Sequence, residues 1–243
     1  MSQIPFGSKV LFEEAKEHGF QPQWETKFGL FSIKRGTKTI YIYSTKLAIN
    51  SNLGSYLTKD KYTTSVILEK NSFPTVPYLF TNNVKELHDF FDVHQPIIAK
   101  PVMGERSQNT KLIEERDDLS KFPLDETIFE KFILGIELRY LVLKGQIVAA
   151  QSKSLNPTPQ YPWRKHVTNL KASEYDTCCV EMALAIAKLV GQQFLAVDFI
   201  EAPNGKILVL ELNSVPGLYS LYNPDDGNPI ALGKLLFETI IET

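Results

Sequence analysis

The segment 194–213 constrains this chain more than any other: two β-rich runs, FLAVDFIEA and KILVLELN, flank Pro203-Asn204-Gly205. Asn-Gly between alternating runs is the strongest short-range hairpin signal, and a two-residue type I′ turn fixes the register of the strands it joins. With Asn204 and Gly205 as the turn, Asp198 falls directly opposite Glu211. Strand alternation then puts Asn213 on that face and sends Leu208, Leu210 and Leu212 to the other, toward the core. Directly opposed residues have Cβ atoms only about 4.5–5.5 Å apart, so two bare carboxylates there repel. A cation resolves the conflict. Oxygen ligands of the Asp, Glu and Asn type suit Mg²⁺ or Mn²⁺, which retain waters and share substrate phosphates. The competing reading is a solvent-facing hairpin carrying two tolerated surface acids.

The rest of the chain reads as mixed helix and strand, an α+β pattern. A helix is expected over 8–18, a hairpin over 29–43, and a helix from Lys61 to about Lys70, capped by Asp60 with Val66 and Ile67 inward. A helix follows at 84–91, then an apolar strand at 96–101 ending at Lys100 and a polar loop at 104–110. Strand 127–133 precedes a hairpin of 137–143 with 146–151 around Lys144-Gly145. A proline-bearing loop at 156–163 comes next, then a helix at 173–190 with Met182, Ala183, Ile186 and Leu189 on one stripe. The chain closes with the acid-bearing hairpin, a loop and a helix.

Composition removes several classes of function. With 43% hydrophobic residues the chain can bury a real core, and its net charge of −2, without a polybasic tract, argues against nucleic acid or an anionic membrane as partner. Residues 1–7 lack a basic start followed by an apolar stretch, and no uncharged run approaches bilayer length, so a cytoplasmic location is expected. The two cysteines, Cys178 and Cys179, are neighbours whose side chains diverge on a helix, which fits a reducing compartment.

Four ordered blocks resemble the ATP-grasp superfamily. They are LGSYLTKDKYTTSVIL, IIAKPVMGE, IFEKFILGIELRYLVLKGQIVAA and AVDFIEAPNGKILVLELNSVPGL. The likeness is nearest to the domain of cyanophycin synthetase and bifunctional glutathione synthetase, with RimK-type and D-alanine:D-alanine ligases more distant. The resemblance implies two α+β lobes gripping ATP between them. A short N-terminal module (1–57) would precede an ATP-grasp domain (58–243) made of a segment 58–128, a small lid at about 75–130, and a metal-binding lobe at 131–243.

The resemblance also implies roles. Lys61 and Lys100 would contact ATP phosphates, one opening a helix where backbone N–H groups favour anions and one ending a strand before the loop at Gly104. Glu130, Lys131 and Ile133 would form the hinge that recognises adenine, and Glu137 would hold the ribose hydroxyls. Arg139 would offset charge near the transferred phosphate or the substrate carboxylate, or else serve as a cross-strand structural pair. Lys153 matches a basic family position, although a strict Lys144-Gly145 turn points it away from Arg139 unless a bulge intervenes. In the basic run Arg164-Lys165-His166, Arg164 is the expected γ-phosphate contact. Asp198, Glu211 and Asn213 would hold Mg²⁺ or Mn²⁺. The phosphate loop departs from the family's K-P-x-x-G-x-x-G-x-G: it reads KPVMGERSQN, with Ser107 and Asn109 where glycines stand.

The implied reaction is an ATP-dependent ligation. A carboxylate is activated as an acyl phosphate and an amine then captures it, with amino acids or small peptides as substrates. Two alternatives stay open, a nucleotide-binding regulator or scaffold and an ATP-grasp kinase. Oligomeric state is also open, a homodimer included.

Overall fold

A computed structural model of the chain describes residues 4–104, 109–156 and 165–241. Helix α1 (Phe6–Glu17) leads into a three-stranded antiparallel sheet, β1 (Gln23–Trp24), β2 (Phe31–Arg35) and β3 (Lys38–Ile42). Two helices follow, α2 (Asn52–Leu57) and α3 (Lys61–Lys70). The Asp60 side chain accepts from the Thr63 N–H at 2.9 Å and starts α3 where the sequence placed it. Its inward face is a correction, because Thr64 and Leu68 are buried while Val66 and Ile67 are only half-buried.

A small lobe comes next: β4 (Tyr78–Leu79), α4 (Val84–His94), β5 (Ile97–Pro101), β6 (Lys111–Ile113), a 3₁₀ segment (Arg116–Lys121) and β7 (Thr127–Lys131). Its antiparallel sheet runs in the order β4-β7-β5-β6. The larger sheet consists of β8 (Ile136–Leu143), β9 (Gln146–Leu155), β10 (Lys165–Asn169), β11 (Phe194–Glu201) and β12 (Ile207–Asn213), with α5 (Thr177–Leu189) inserted before β11. Its order is β10-β9-β8-β11-β12, antiparallel throughout. The short α6 (Tyr219–Tyr222) and α7 (Gly233–Ile241) follow.

Helix α5 starts later than the expected 173. Asp176 caps it by accepting from the Cys179 N–H at 2.8 Å, and Ala172–Glu174 forms a separate 3₁₀ turn. The buried stripe is Cys179, Ala183, Ile186, Ala187 and Val190, whereas Leu189 is exposed. Cys178 is exposed and Cys179 buried, divergent as expected.

The two faces of the large sheet have different fates. Tyr140, Val142, Val197, Phe199 and Leu212 pack against α5. On the opposite face, Leu141, Leu143, Phe194 and Ala196 share one core with Leu11 and Phe12 of α1, Phe31 and Ile33 of β2, and Leu236 and Phe237 of α7. The N-terminal helix and sheet therefore roof one half of that face. The other half, beginning at Arg139 and Asp198, lies under the small lobe.

The C-terminal hairpin closes differently from the expected type I′ turn. Ala202 and Lys206 are joined by a backbone bond of 2.9 Å, Gly205 N–H donates to the Ala202 carbonyl at 2.8 Å, and Gly205 alone at the tip has positive φ (+77°). Pro203 is suited to the first central position of a type I turn, and a left-handed glycine then completes a three-residue loop. Asn204 Oδ1 accepts from the Lys206 N–H and stabilises this form. The one-residue offset is undone by a bulge between Asp198 and Phe199, where Leu210 has no opposed partner, so Asp198 still faces Glu211. The bulge also corrects the leucine assignment: Leu208 and Leu210 pack with Val76, Ile133 and Ile200, while Val209 and Leu212 face α5.

The crossing from the small lobe to β8 depends on Gly135, where a Cβ would stand 2.1 Å from the Glu201 carbonyl oxygen. Gly135→Ala is expected to lower the unfolding free energy by about 1–3 kcal/mol through backbone overpacking, measured by urea denaturation with the m-value unchanged.

Candidate active site

One row of directly opposed residues crosses all five strands of the large sheet: Glu211, Asp198, Arg139, Gln151 and Asn169. Every member is polar, and the row is hydrogen-bonded for most of its length. Arg139 clasps Asp198 through Nε at 2.6 Å and Nη2 at 2.7 Å. Gln151 Nε2 donates to Asn169 Oδ1 at 2.7 Å, and the Ser220 hydroxyl donates to Gln151 Oε1 at 3.0 Å. Asn169 in turn donates to the carbonyls of Leu221 and Asn228, which ties the segment after β12 to the sheet.

The row's electrostatics follow from burial. Burial alone would push Asp198 up, but the Arg139 guanidinium, then Lys153, hold its carboxyl well below the usual carboxylate range. Arg139 is raised because the neighbouring Asp198 outweighs its own burial. Glu211 is pushed up, first by burial and then by the facing charge of Asp198, with Lys100 and Lys61 offsetting part of the shift.

Lys153 reaches this centre because of a bulge. Lys144 and Gly145 both have positive φ, as a type I′ turn requires, but the register shifts between Leu141 and Val142. Arg139 is thereby paired with Gln151, and Glu137 with Lys153, all on one face. The strict-turn orientation of Lys153 is thus overturned: its Nζ lies 3.5 Å from Asp198 Oδ1. Burial lowers its pKa, offset in part by Asp198.

Two further cations face this row, Lys100 from the small lobe and Lys61 from α3. Lys100 Nζ meets Glu130 Oε2 at 2.5 Å on neighbouring strands, and this partner raises Lys100 against the opposing effect of burial. Glu130 therefore turns its side chain to Lys100, while Lys131 is exposed on the adjacent position and Ile133 packs against Leu208 and Val76. Lys61 opens α3, its backbone N–H bonded to the Val102 carbonyl at 3.0 Å and its Nζ to the Gly104 carbonyl at 3.0 Å. Burial lowers the Lys61 pKa, partly countered by Glu211.

These groups surround one cleft of about 480 Å³. Val76, Ile98, Leu112, Ile133, Ile200 and Leu210 make an apolar wall, and six cationic side chains outnumber four carboxylates. A cleft that combines apolar wall residues with an excess of positive charge suits a ligand that joins an apolar group to a polyanion.

Glu137 also lines the cleft and is ion-paired with Lys165 of β10. The sequence sets the basic run 164–166 in the proline-bearing loop, whereas Lys165–Asn169 forms a strand. Lys165 stands in a strand paired with β9, and His166 turns to Asp226, with Nε2 and Oδ2 2.6 Å apart. Arg164 and Ser107 lie outside the described residues. Gln151, Asn169 and Gly135 escaped the sequence reading; the alternation of VAAQSKSL past Gln151 was the available signal, since β9 runs on to Leu155.

The donor set agrees with a hard divalent ion: two carboxylates and an amide oxygen, with no thiol or imidazole among them. Among the described residues no three His, Cys, Asp or Glu side chains converge on one point, so ligand oxygens and water must complete the shell. Asn213 is preset by accepting the Val215 N–H on Oδ1 at 2.9 Å, which leaves a second lone pair on that oxygen. Among the described residues no helix is long and apolar enough to cross a membrane.

Comparison with known proteins agrees with this architecture. The D-alanine–D-alanine ligase of Thermosipho africanus is 25% identical over 194 residues, 69% of this chain and 53% of that protein. The chain spans about half the length, or less, of the characterised relatives it matches first. The bifunctional glutathione synthetase of Pasteurella multocida superposes with a TM-score of 0.73 at 12% identity, covering 99% of this chain and 44% of that one. A RiPP-associated ATP-grasp ligase of Chryseobacterium gregarium, in complex with ADP and a leader and core peptide, gives 0.65 at 14% identity, covering 97% of this chain and 93% of that one. These likenesses establish the α+β fold of two lobes around a cleft. Residues 58–228, which include every strand of both cleft-forming sheets and the whole polar row, match the model of the RimK-like ATP-grasp domain, and the chain belongs to that family.

Proposed function

We propose that this chain is an ATP-dependent, ADP-forming carboxylate–amine ligase that activates an amino acid or peptide carboxylate as an acyl phosphate with MgATP. The observation that supports this most is the facing of the Glu211–Asp198–Arg139 row by Lys61 and Lys100 across one cleft with an apolar wall. The adenine would lie against Ile133 and the exposed Lys131, and the ribose hydroxyls near Glu137. Lys61, Lys100 and the Gly104 loop would take the phosphates. Glu130 orients Lys100 and Asp198 orients Arg139, whose guanidinium would then be available to the transferred phosphate.

Asp198, Glu211 and Asn213 would hold Mg²⁺ or Mn²⁺, which supplies charge neutralisation as phosphate oxygen moves. Lys153 stabilises the same carboxylate that Arg139 engages, and Arg164 would reach the γ-phosphate. Closure of the small lobe excludes water, so that the mixed anhydride meets an amine and not a hydroxide. An amine attacks the acyl carbon, the C–O bond to phosphate breaks, and the amine's proton leaves to solvent or base as inorganic phosphate departs.

The test is ATP turnover over a panel of amino acids and small peptides with hydroxylamine present. The expected outcome is stoichiometric ADP and hydroxamate for at least one carboxylate. Magnesium-dependent ADP binding without turnover favours a regulator or scaffold, consistent with a phosphate loop that has Ser107 and Asn109 in place of glycines. ADP release without hydroxamate favours a kinase.

Two substitutions separate binding from stability. Lys61→Met is expected to weaken MgADP binding roughly tenfold, read by calorimetry, because a charge-assisted contact is worth about 1.5–3 kcal/mol. Glu211→Gln is expected to act in opposite directions. Removing a carboxylate that burial and Asp198 already disfavour raises metal-free stability by up to ~1 kcal/mol in urea titrations, while magnesium-dependent nucleotide binding disappears.

A further inference from the structure

The open end of the β11–β12 hairpin, opposite its turn, is closed by residues that come before the family-matched region or at its first position. Asn50 lies between the N-terminal sheet and α2. Its Nδ2 donates to the Phe194 carbonyl at 2.8 Å and the Ser214 carbonyl at 3.2 Å, while its Oδ1 accepts from the N–H groups of Gln193 at 3.1 Å and Phe194 at 2.8 Å. One side-chain amide thus spends its full hydrogen-bonding capacity joining the start of β11 to the exit of β12. Thr45, fully buried, donates its hydroxyl to the Pro216 carbonyl at 2.8 Å. Thr58, also buried, donates to the Ser214 hydroxyl at 2.9 Å.

Each of the three residues places one hydrogen bond on the segment 214–216, immediately after Asn213. Asn213 is linked to that same segment through the Val215 N–H. The strand pairing ends with Ala196 and Asn213, so among the described residues no ladder continues into the segment 214–216. The ladder holds the Asn213 backbone, and the course of residues 214–216 decides where the Val215 N–H draws its side-chain oxygen.

We infer that Thr45, Asn50 and Thr58 are positioning residues for Asn213: the N-terminal module acts through them to fix the amide oxygen that completes the divalent-cation site, an assignment that rests on the metal–nucleotide reading above. Thr45 and Asn50 do not line the cleft, and Thr58 lines only the pocket beside it, together with Lys61 and Glu211. Their effect is transmitted through backbone carbonyls, and buried hydrogen bonds of this kind are strongly directional. The module is therefore part of the site's geometry as well as a cover for the sheet.

The experiment uses the full chain with Asn50→Ala, Thr45→Val and Thr45→Ser. ADP binding is followed by calorimetry at increasing MgCl₂, and amide hydrogen exchange of the metal-free, nucleotide-free protein is followed by mass spectrometry. Asn50→Ala is expected to raise the magnesium midpoint roughly five- to tenfold, and Thr45→Val roughly threefold, with ADP affinity in EDTA unchanged. Peptides containing Val215 exchange faster in both variants, and Thr45→Ser, which keeps the hydroxyl, behaves as the parent protein. A parental magnesium midpoint and parental exchange in Thr45→Val and Asn50→Ala overturn the inference. So does an equal loss of ADP affinity with and without magnesium, which marks general loosening. If Asn50→Ala does not fold, the Thr45 pair decides. If the parent protein shows no magnesium dependence at all, the metal–nucleotide reading and the role at the cation site fail together, while unchanged exchange with intact magnesium dependence removes only the positioning role.

Discussion

The bidentate pair of Arg139 with Asp198 is the constraint around which the rest of the site is arranged. A buried carboxylate without a partner costs several kcal/mol, and this one faces a second carboxylate across the hairpin. The guanidinium makes the arrangement tenable. Because it sits between β11 and β9, it also continues the polar row into Gln151 and Asn169, with the apolar Ala196, Leu141 and Ala149 on the side toward the β8–β9 turn and the charged Glu137 and Lys153 on the cleft side. Such a row is poor for stability compared with packed leucines, yet it fixes which residues must face each other. Every strand of the large sheet contributes one member.

The division of that face into two halves explains how a polar row survives in a small protein. Toward the β8–β9 turn the face is roofed by α1, β2 and α7 and packed with Leu141, Leu143, Phe194 and Ala196. Toward the small lobe it opens into the cleft, where charge has access to ligand and solvent. Lys61 links the two regimes. It belongs to α3, yet its backbone and ammonium both hold the loop that leaves β5.

Much of this was legible in the residues. Asp60 announced the start of α3, and the Asn-Gly dipeptide, with the acid spacing around it, placed Asp198 opposite Glu211. That register came out right through two cancelling departures, a three-residue tip created by Pro203 and a bulge at Leu210. Alternation rules have no means of seeing a bulge, which is why the leucine faces and the direction of Lys153 were misread. Strand β6 has only three residues and β10 is largely polar, and each exists because a neighbouring strand offers a ladder. Thr45 and Asn50 carried no local signal, since their partners lie in residues 193–216 and only the tertiary fold brings them together.

Helices α1 and α7 come from opposite ends of the sequence and share one core, with Phe20 against Phe237 at 5.6 Å and the Glu14 carboxylate pressed onto Gly233. During synthesis the first helix emerges long before its partner. Phe12 can meet Trp24 and Phe31 soon after they emerge, but the part of the surface that α7 covers waits for Leu236 and Phe237. The core that α1 and α7 share is therefore completed only once α7 has been made, far along the sequence from α1.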